Sequence, residues 1–224
     1  MVNKMTMEEI KKQFENKSFF IRCQFIETYN FQDKYFNYYK EYIINFSYKT
    51  KYYNYISDLI DLASDLEIYD DILYEKYLSF LCEKFHPVVK LSVISYCIFR
   101  YEKYPDIDIE QKLLKGINKQ RSIIVKNQIF FSLLNLIKSK EEYYLDLLLK
   151  SLETTTEWRS IYRILYSIKN NTVLSKIDKI LIAKIENLHN ERKFGQGITE
   201  LLEQLTSQIA QGLSTTNGRA GALL

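Results

Sequence analysis

The sequence predicts an all-α protein, and three observations carry that expectation. Of its 224 residues 46% are apolar, while six glycines and two prolines leave little material for turn-rich β structure. Apolar residues recur at helical spacing almost from end to end. At several points where such a stretch begins, a Ser or Thr stands three residues before an acid, the capping-box pattern in which side chain and backbone exchange hydrogen bonds.

The elements follow in order. Helix 7–16 opens with the pair Thr6 and Glu9. Helices 18–29 and 32–47 are rich in Tyr and Phe, as in "YNFQDKYFNYYKEYIINFSYKTKYYNY", where aromatic residues mix with Lys and Asn. Helix 53–67 carries Asp58, Asp61 and Asp65 on one side, at i, i+3 and i+7, and helix 70–85 follows it. Helix 88–103 has Pro87 in its first turn and stops where Pro105 disfavours helical geometry at Tyr104. Helix 107–118 and the residue after it place Lys112, Lys115 and Lys119 along one side. Helix 122–138 contains the apolar run "SIIVKNQIFFSLLNLI". Helices 141–152 and 156–169 start at the pairs Ser139/Glu142 and Thr154/Glu157. Helix 175–190 precedes the last one, 197–212, in which Ile198, Leu201, Leu202, Leu205 and Ile209 share a side.

Superposing these segments tests for repetition. In first helices of successive pairs Val93, Ile129 and Ile161 correspond, as do Ile94, Phe130 and Tyr162, and Cys97, Leu133 and Leu165, at steps of 36 and 32 residues. In second helices Leu114, Leu149 and Ile185 correspond, and so do Ile117, Leu152 and Leu188, at steps of 35 and 36. A helix pair that is apolar around much of its circumference cannot bury that surface alone, and stacked neighbours can. The reading is therefore an array of antiparallel helix pairs, with an irregular helical bundle as the alternative.

On "HPVVKLSVISYCIF", "SIIVKNQIFFSLLNLI" and "EWRSIYRILYSI", each followed by a second apolar helix, residues 86–190 resemble the HEAT family, with a looser fit back to Phe31. Only the first unit has a proline near its start, and the Asp and Arg that such repeats often carry do not recur regularly. The resemblance implies a right-handed HEAT/ARM-like α-solenoid of about 11 to 12 helices, with second helices lining a concave, partner-binding face. On this reading 1–50 caps the array, 51–194 forms the repeats, 195–213 is a capping helix and 214–224 is a disordered tail whose abrupt change of composition suits an appended segment.

Charge and chemistry narrow the function. Net charge is +3, too small to argue for nucleic acid or membrane. Its distribution is uneven: 54–75 holds the acids Asp58, Asp61, Asp65, Glu67, Asp70, Asp71 and Glu75 and no base, whereas 111–140 holds Lys112, Lys115, Lys119, Arg121, Lys126, Lys138 and Lys140 and no acid. An electrically lopsided molecule is expected. Aromatic residues interleaved with bases in 1–50 are one recipe for stacking on single-stranded nucleic acid, and a packed helical face is the favoured alternative. Cys23, Cys82 and Cys97 lack CxxC spacing and read as reduced core residues. His86 and His189 read as structural histidines near helix C-termini, favoured there by the dipole. No phosphate-binding loop, dinucleotide fingerprint, HExxH helix or GxSxG elbow is present, and neither a metal nor another cofactor is expected. The Asp58, Asp61, Asp65 face spreads its carboxylates over two turns, which suits solvent or a basic partner better than a divalent ion. Trp158, beside Arg159 and Arg163, reads as a core anchor, with an interface role second.

The chain has no run of about 18 apolar residues to span a bilayer and no leader-like start, so a cytosolic location without membrane contact is expected. The expected function is non-enzymatic protein binding, in a concrete form as a bacterial toxin-neutralising (immunity) or adaptor protein. The residues expected to meet the partner are Asp58, Asp61, Asp65, Lys112, Lys115, Lys119, Trp158, Arg159 and Arg163. The alternative is a nucleic-acid-binding helical repeat using the basic residues of 111–140 and 159–163.

Overall fold

A computed structural model describes residues 5–31, 33–155, 158–169 and 195–220, together with the isolated positions 187, 190 and 191. The described residues form eleven α-helices and two short 3-10 turns, with no strand among them. The all-α expectation holds. The chain divides into two compact units, Met1–Val125 and Lys126–Leu224.

The first unit contains α1 (Met7–Phe14), α2 (Phe19–Thr28), α3 (Phe36–Asn45), α4 (Tyr53–Asp65), α5 (Asp71–Cys82), α6 (Pro87–Lys103) and α7 (Ile109–Ile117). Local chemistry sets their ends. The Glu9 N–H donates to Thr6 Oγ1 at 3.3 Å and the Thr6 N–H donates to Glu9 Oε2 at 2.7 Å, so the expected capping box forms. Asp70 caps α5 by accepting from the Ile72 and Leu73 N–H groups at 3.0 and 3.3 Å. α4 closes with the Ile68 N–H donating to Ala63 O at 2.8 Å and the Glu67 N–H to Ser64 O at 3.0 Å, the Schellman pattern, which places Glu67 at φ 56° where glycine is usual. Pro87 is the first residue of α6, where a missing N–H costs nothing, and α6 stops at Lys103 ahead of a non-helical Tyr104 and Pro105.

Packing in this unit is ordered. α4 lies between α2 and α6, α5 packs on α6 and α7, α3 packs on α4, and α1 packs on α2. α2, α4 and α6 thus form one row, and α5 and α7 are neighbours in a second. Polar contacts between consecutive pairs join residues about one helix pair apart in sequence: Tyr48 and Tyr77 hydroxyls at 2.8 Å, 29 residues apart, and the Tyr74 hydroxyl donating to Asp106 at 2.9 Å, 32 residues apart. The aromatic N-terminal third is partly interior and partly half-buried. Phe14, Tyr39 and Tyr55 are fully buried, and Phe14 meets Phe25 edge to face with ring centres 5.4 Å apart. Lys90 is buried as well, its ammonium donating to Leu81 O at 3.2 Å and Gln120 Oε1 at 3.3 Å, and burial lowers its pKa.

The second unit contains most of α8 (Ile123–Leu136), then α9 (Glu141–Thr154), α10 (Trp158–Lys169) and α11 (Gln196–Ala220). α10 packs on both α9 and α11, and the Ser151 hydroxyl of α9 donates to Asn127 Oδ1 of α8 at 2.7 Å. Ile198, Leu201, Leu202 and Leu205 are buried, as the amphipathic pattern requires; the side chain of Ile209 lies outside the described residues. The matched positions Val93, Ile129 and Ile161 are all buried, and so are Cys97, Leu133 and Leu165. Ile185 and Leu188 lie outside the described residues.

Some local expectations are corrected. α9 starts at Glu141 behind a 3-10 turn, Lys138–Lys140, with no side-chain cap, so Ser139 and Glu142 form no capping box there. Thr154 ends α9 and its hydroxyl donates back to the Lys150 and Ser151 carbonyls, while Glu157 lies outside the described residues. Cys97 is buried, but Cys23 is half-buried and Cys82, at the last turn of α5, is exposed. His86 precedes a helix start and serves as its cap; His189 lies outside the described residues. α11 runs on through 214–220, where a disordered tail is expected; no proline interrupts that stretch.

Candidate functional site

In the first unit, connections between helices gather at two edges. The α3–α4 and α5–α6 connections meet at one edge, around a cleft of about 680 Å³ lined by Tyr48–Lys51, Tyr53, Ile56 and Glu83–His86. Lys49, Lys51 and Lys84 are exposed there, and none of them is ion-paired among the described residues. Glu83 is the one carboxylate lining this cleft, and it accepts from the Ser79 hydroxyl at 2.8 Å. The His86 ring lies flat against Tyr53, with centres 3.9 Å apart and planes at 13°, and its Nδ1 accepts from the Val88 N–H at 3.3 Å. That cap fixes the imidazole, and the imidazole supports the tyrosine.

A second cleft, of about 610 Å³, adjoins it and shares Lys51 and Tyr53. Phe19 and Tyr52 stack in it at 4.2 Å, and Phe20 and Tyr52 are 76% and 58% exposed. Its inner wall carries Gln24, Glu27, Asn54, Cys23 and Asp58. Burial first, then the nearby Asp58 carboxylate, push the Cys23 thiol pKa up to about 12. It is held as the thiol and not as a nucleophilic thiolate. Burial likewise raises Asp58, whose Oδ2 is enclosed without a hydrogen-bond partner.

At the other edge the α6–α7 connection meets the start of α5. Lys112 pairs with Glu75 and with Asp106, each at 2.9 Å, and Arg100 pairs with Asp71 at 2.5 Å. Both cations lie over the Tyr74 ring, at 4.1 Å for Arg100 and 5.0 Å for Lys112. Burial pushes the Asp106 carboxyl up, but hydrogen bonds from Lys112, the Asp108 N–H and Tyr74 outweigh it and hold the pKa below the ordinary 3.8. Tyr104 and Ile107 line the same shallow cleft, of about 380 Å³, with Ile107 97% exposed.

The residues singled out in the sequence do not converge. Asp58 faces Cys23, while Asp61 is exposed and accepts from the Ser92 hydroxyl at 3.1 Å; Asp65 is exposed at the end of α4. Lys112 belongs to the ion-paired edge, and Lys115 and Lys119 are exposed. Trp158, Arg159 and Arg163 are residues of α10 in the second unit, and their side chains lie outside the described residues. The acidic side of the expected asymmetry is partly cancelled, because four of the seven acids in 54–75 are paired: Glu67 with Lys103, Asp70 with Lys40, Asp71 with Arg100 and Glu75 with Lys112. Bases from neighbouring helices, invisible to a count along the chain, meet them. The cationic edge built from Lys49, Lys51 and Lys84 was missed for the same reason, since those residues sit about 35 positions apart in two loops; the run "SYKTKYYNY" was the local signal. No group of three or more His, Cys, Asp or Glu suited to a metal ion occurs among the described residues, and no helix among them is long and apolar enough to cross a membrane.

Comparison with protein-family models, curated proteins and solved structures finds no match.

Proposed function

We propose that the chain is a non-enzymatic, protein-binding α-solenoid of HEAT-like helix pairs, acting in its concrete form as a bacterial toxin-neutralising or adaptor protein in the cytoplasm. The row α2, α4, α6, the second-row neighbours α5 and α7, and cross-contacts near one helix-pair length support the solenoid reading. The observation that carries the binding role is Ile107. It is 97% exposed on a connection held by the Lys112–Asp106 pair, with half-exposed Tyr104 beside it and ordered cations behind. An exposed apolar side chain on an ordered base, rimmed by charge, is one that a partner can bury at little ordering cost, so its truncation is expected to weaken an interface formed there.

Charge at this edge is already paired within the unit, so it orients a partner more than it attracts one. The alternative of nucleic-acid binding through 111–140 and 159–163 has less to rest on, because Lys112 is committed to two carboxylates.

Purification of the tagged full chain from its native host tests the reading. A stoichiometric protein partner is expected, lost from Ile107→Asp and retained by Lys84→Glu, with both variants melting like the parent. Recovery of no partner, or equal retention by Ile107→Asp, rejects it.

A further inference from the structure

We infer that the edge formed by the α3–α4 and α5–α6 connections is a docking surface for a short single strand of nucleic acid. Its phosphates lie over Lys49, Lys51 and Lys84, and its bases stack on Tyr52, Tyr53 and Phe20. This surface is distinct from the Ile107 edge, so the inference stands or falls separately from the protein-binding reading.

Three observations meet here. The first is charge: three exposed lysines from two loops line one cleft, unpaired among the described residues, and they outnumber the cleft's single carboxylate, Glu83. Three lysines against one carboxylate, Glu83, leave the cleft a net positive field, and phosphate is a group that such a field collects. The second is the ring geometry. Tyr53 on His86 at 3.9 Å and Tyr52 on Phe19 at 4.2 Å are already stacked pairs, yet Tyr53 and Tyr52 remain 42% and 58% exposed. Their orientation is set before any ligand arrives, and a base adds one more layer to each stack. The third is the neighbouring cleft of about 610 Å³, whose wall offers the amides of Gln24 and Asn54 beside Phe20. Side-chain amides that donate and accept together match the edges of bases.

An acidic peptide would also answer to the lysines. It has no use for two flat stacks, and Glu27 and Asp58 in the adjoining cleft repel its carboxylates, whereas a strand places its phosphates on the lysine side and its neutral bases toward that wall.

The test uses the full chain and a fluorescently labelled fifteen-residue oligothymidylate, followed by anisotropy across a salt series, with unlabelled polyglutamate and inorganic polyphosphate as competitors. Binding is expected at about 50 mM salt, with a log–log salt slope near about −2 for three neutralised phosphates on a single strand. The triple reversal Lys49→Glu, Lys51→Glu, Lys84→Glu abolishes that slope. Tyr52→Ala weakens binding about tenfold and leaves the slope unchanged, the signature of a lost stack with the phosphate contacts intact. Circular dichroism melts matching the parent exclude misfolding of either variant. Absence of binding at that salt, indifference to the triple reversal, or a Tyr52→Ala variant that binds like the parent overturns the inference. So does displacement by polyglutamate or polyphosphate as effective as by the unlabelled oligonucleotide; the polyglutamate result would reassign the edge to an acidic protein.

Discussion

The hydroxyls of Ser57 and Ser92 lie 2.7 Å apart in the interior between α4 and α6, and they are separated by 35 residues of chain. That separation is the one at which the apolar pattern repeats itself, so the two serines occupy like positions in successive helix pairs. Ser92 donates onward to Asp61 at 3.1 Å, which makes a short polar chain through an otherwise apolar seam.

Ser92→Ala leaves the buried Ser57 hydroxyl without its partner, while water replaces Ser92 at the exposed Asp61. A loss of about 1 kcal/mol is expected in urea unfolding, and the double change Ser57→Ala, Ser92→Ala costs less than twice that, because it removes both halves of the pair. Additive losses would show that the two hydroxyls are uncoupled.

Alkaline stability is the second outcome. Burial raises the pKa of Tyr48, Tyr55, Tyr74, Tyr77 and Tyr96 well above the ordinary 10.0. A folded pKa above the unfolded one means the stabilisation is complete below pH 10 and is lost as pH climbs above it, because the unfolded chain sheds protons that the folded chain keeps. Each such tyrosine steepens the fall by about 1.4 kcal/mol per pH unit. The tyrosinate absorbance of these buried rings should therefore appear as a cooperative component coinciding with loss of helix, and full ionisation of the chain's tyrosines within an intact fold contradicts this.

Lys112→Met keeps an aliphatic stem over Tyr74 but removes the partner of Asp106 and Glu75. With Lys112 about a third exposed, solvent screening limits the expected loss to about 1 kcal/mol at neutral pH. Asp106 has a folded pKa below 3.8, so its contribution is present above that value and disappears as pH falls through the folded value. The acid limb of a stability–pH curve should be flatter in the variant, and an unchanged limb assigns no role to this pair.

Gly116 on α7 faces α5 so closely that an added Cβ would lie 3.0 Å from Leu81 Cβ. Leu81 is fully buried and its Cβ is fixed by the α5 backbone, so the helices must part. Gly116→Val is expected to cost about 1 to 3 kcal/mol in thermal unfolding despite the general preference of helices for residues other than glycine. Stability at or above that of the parent would show that α5 and α7 yield freely.

Helix positions, the break at Tyr104–Pro105, the Thr6–Glu9 cap and the buried faces of α6 and α11 were legible in the linear order of residues, because each depends on neighbours within about one or two turns. The burial of Val93, Ile129 and Ile161 was legible too, since periodicity reports which side of a helix faces the core. The fate of the charges was not. Asp71 and Arg100, or Glu75 and Lys112, lie 29 and 37 residues apart, and only helix packing tells whether opposite charges meet or remain free. The acids of 54–75 therefore looked like an open binding face, while loop lysines that share a cleft with the Tyr53–His86 stack proved to be among the cations left unpaired. Short-range chemistry acts on the chain before it folds, whereas ion pairing and surface exposure exist only once distant segments have been brought within a few ångströms.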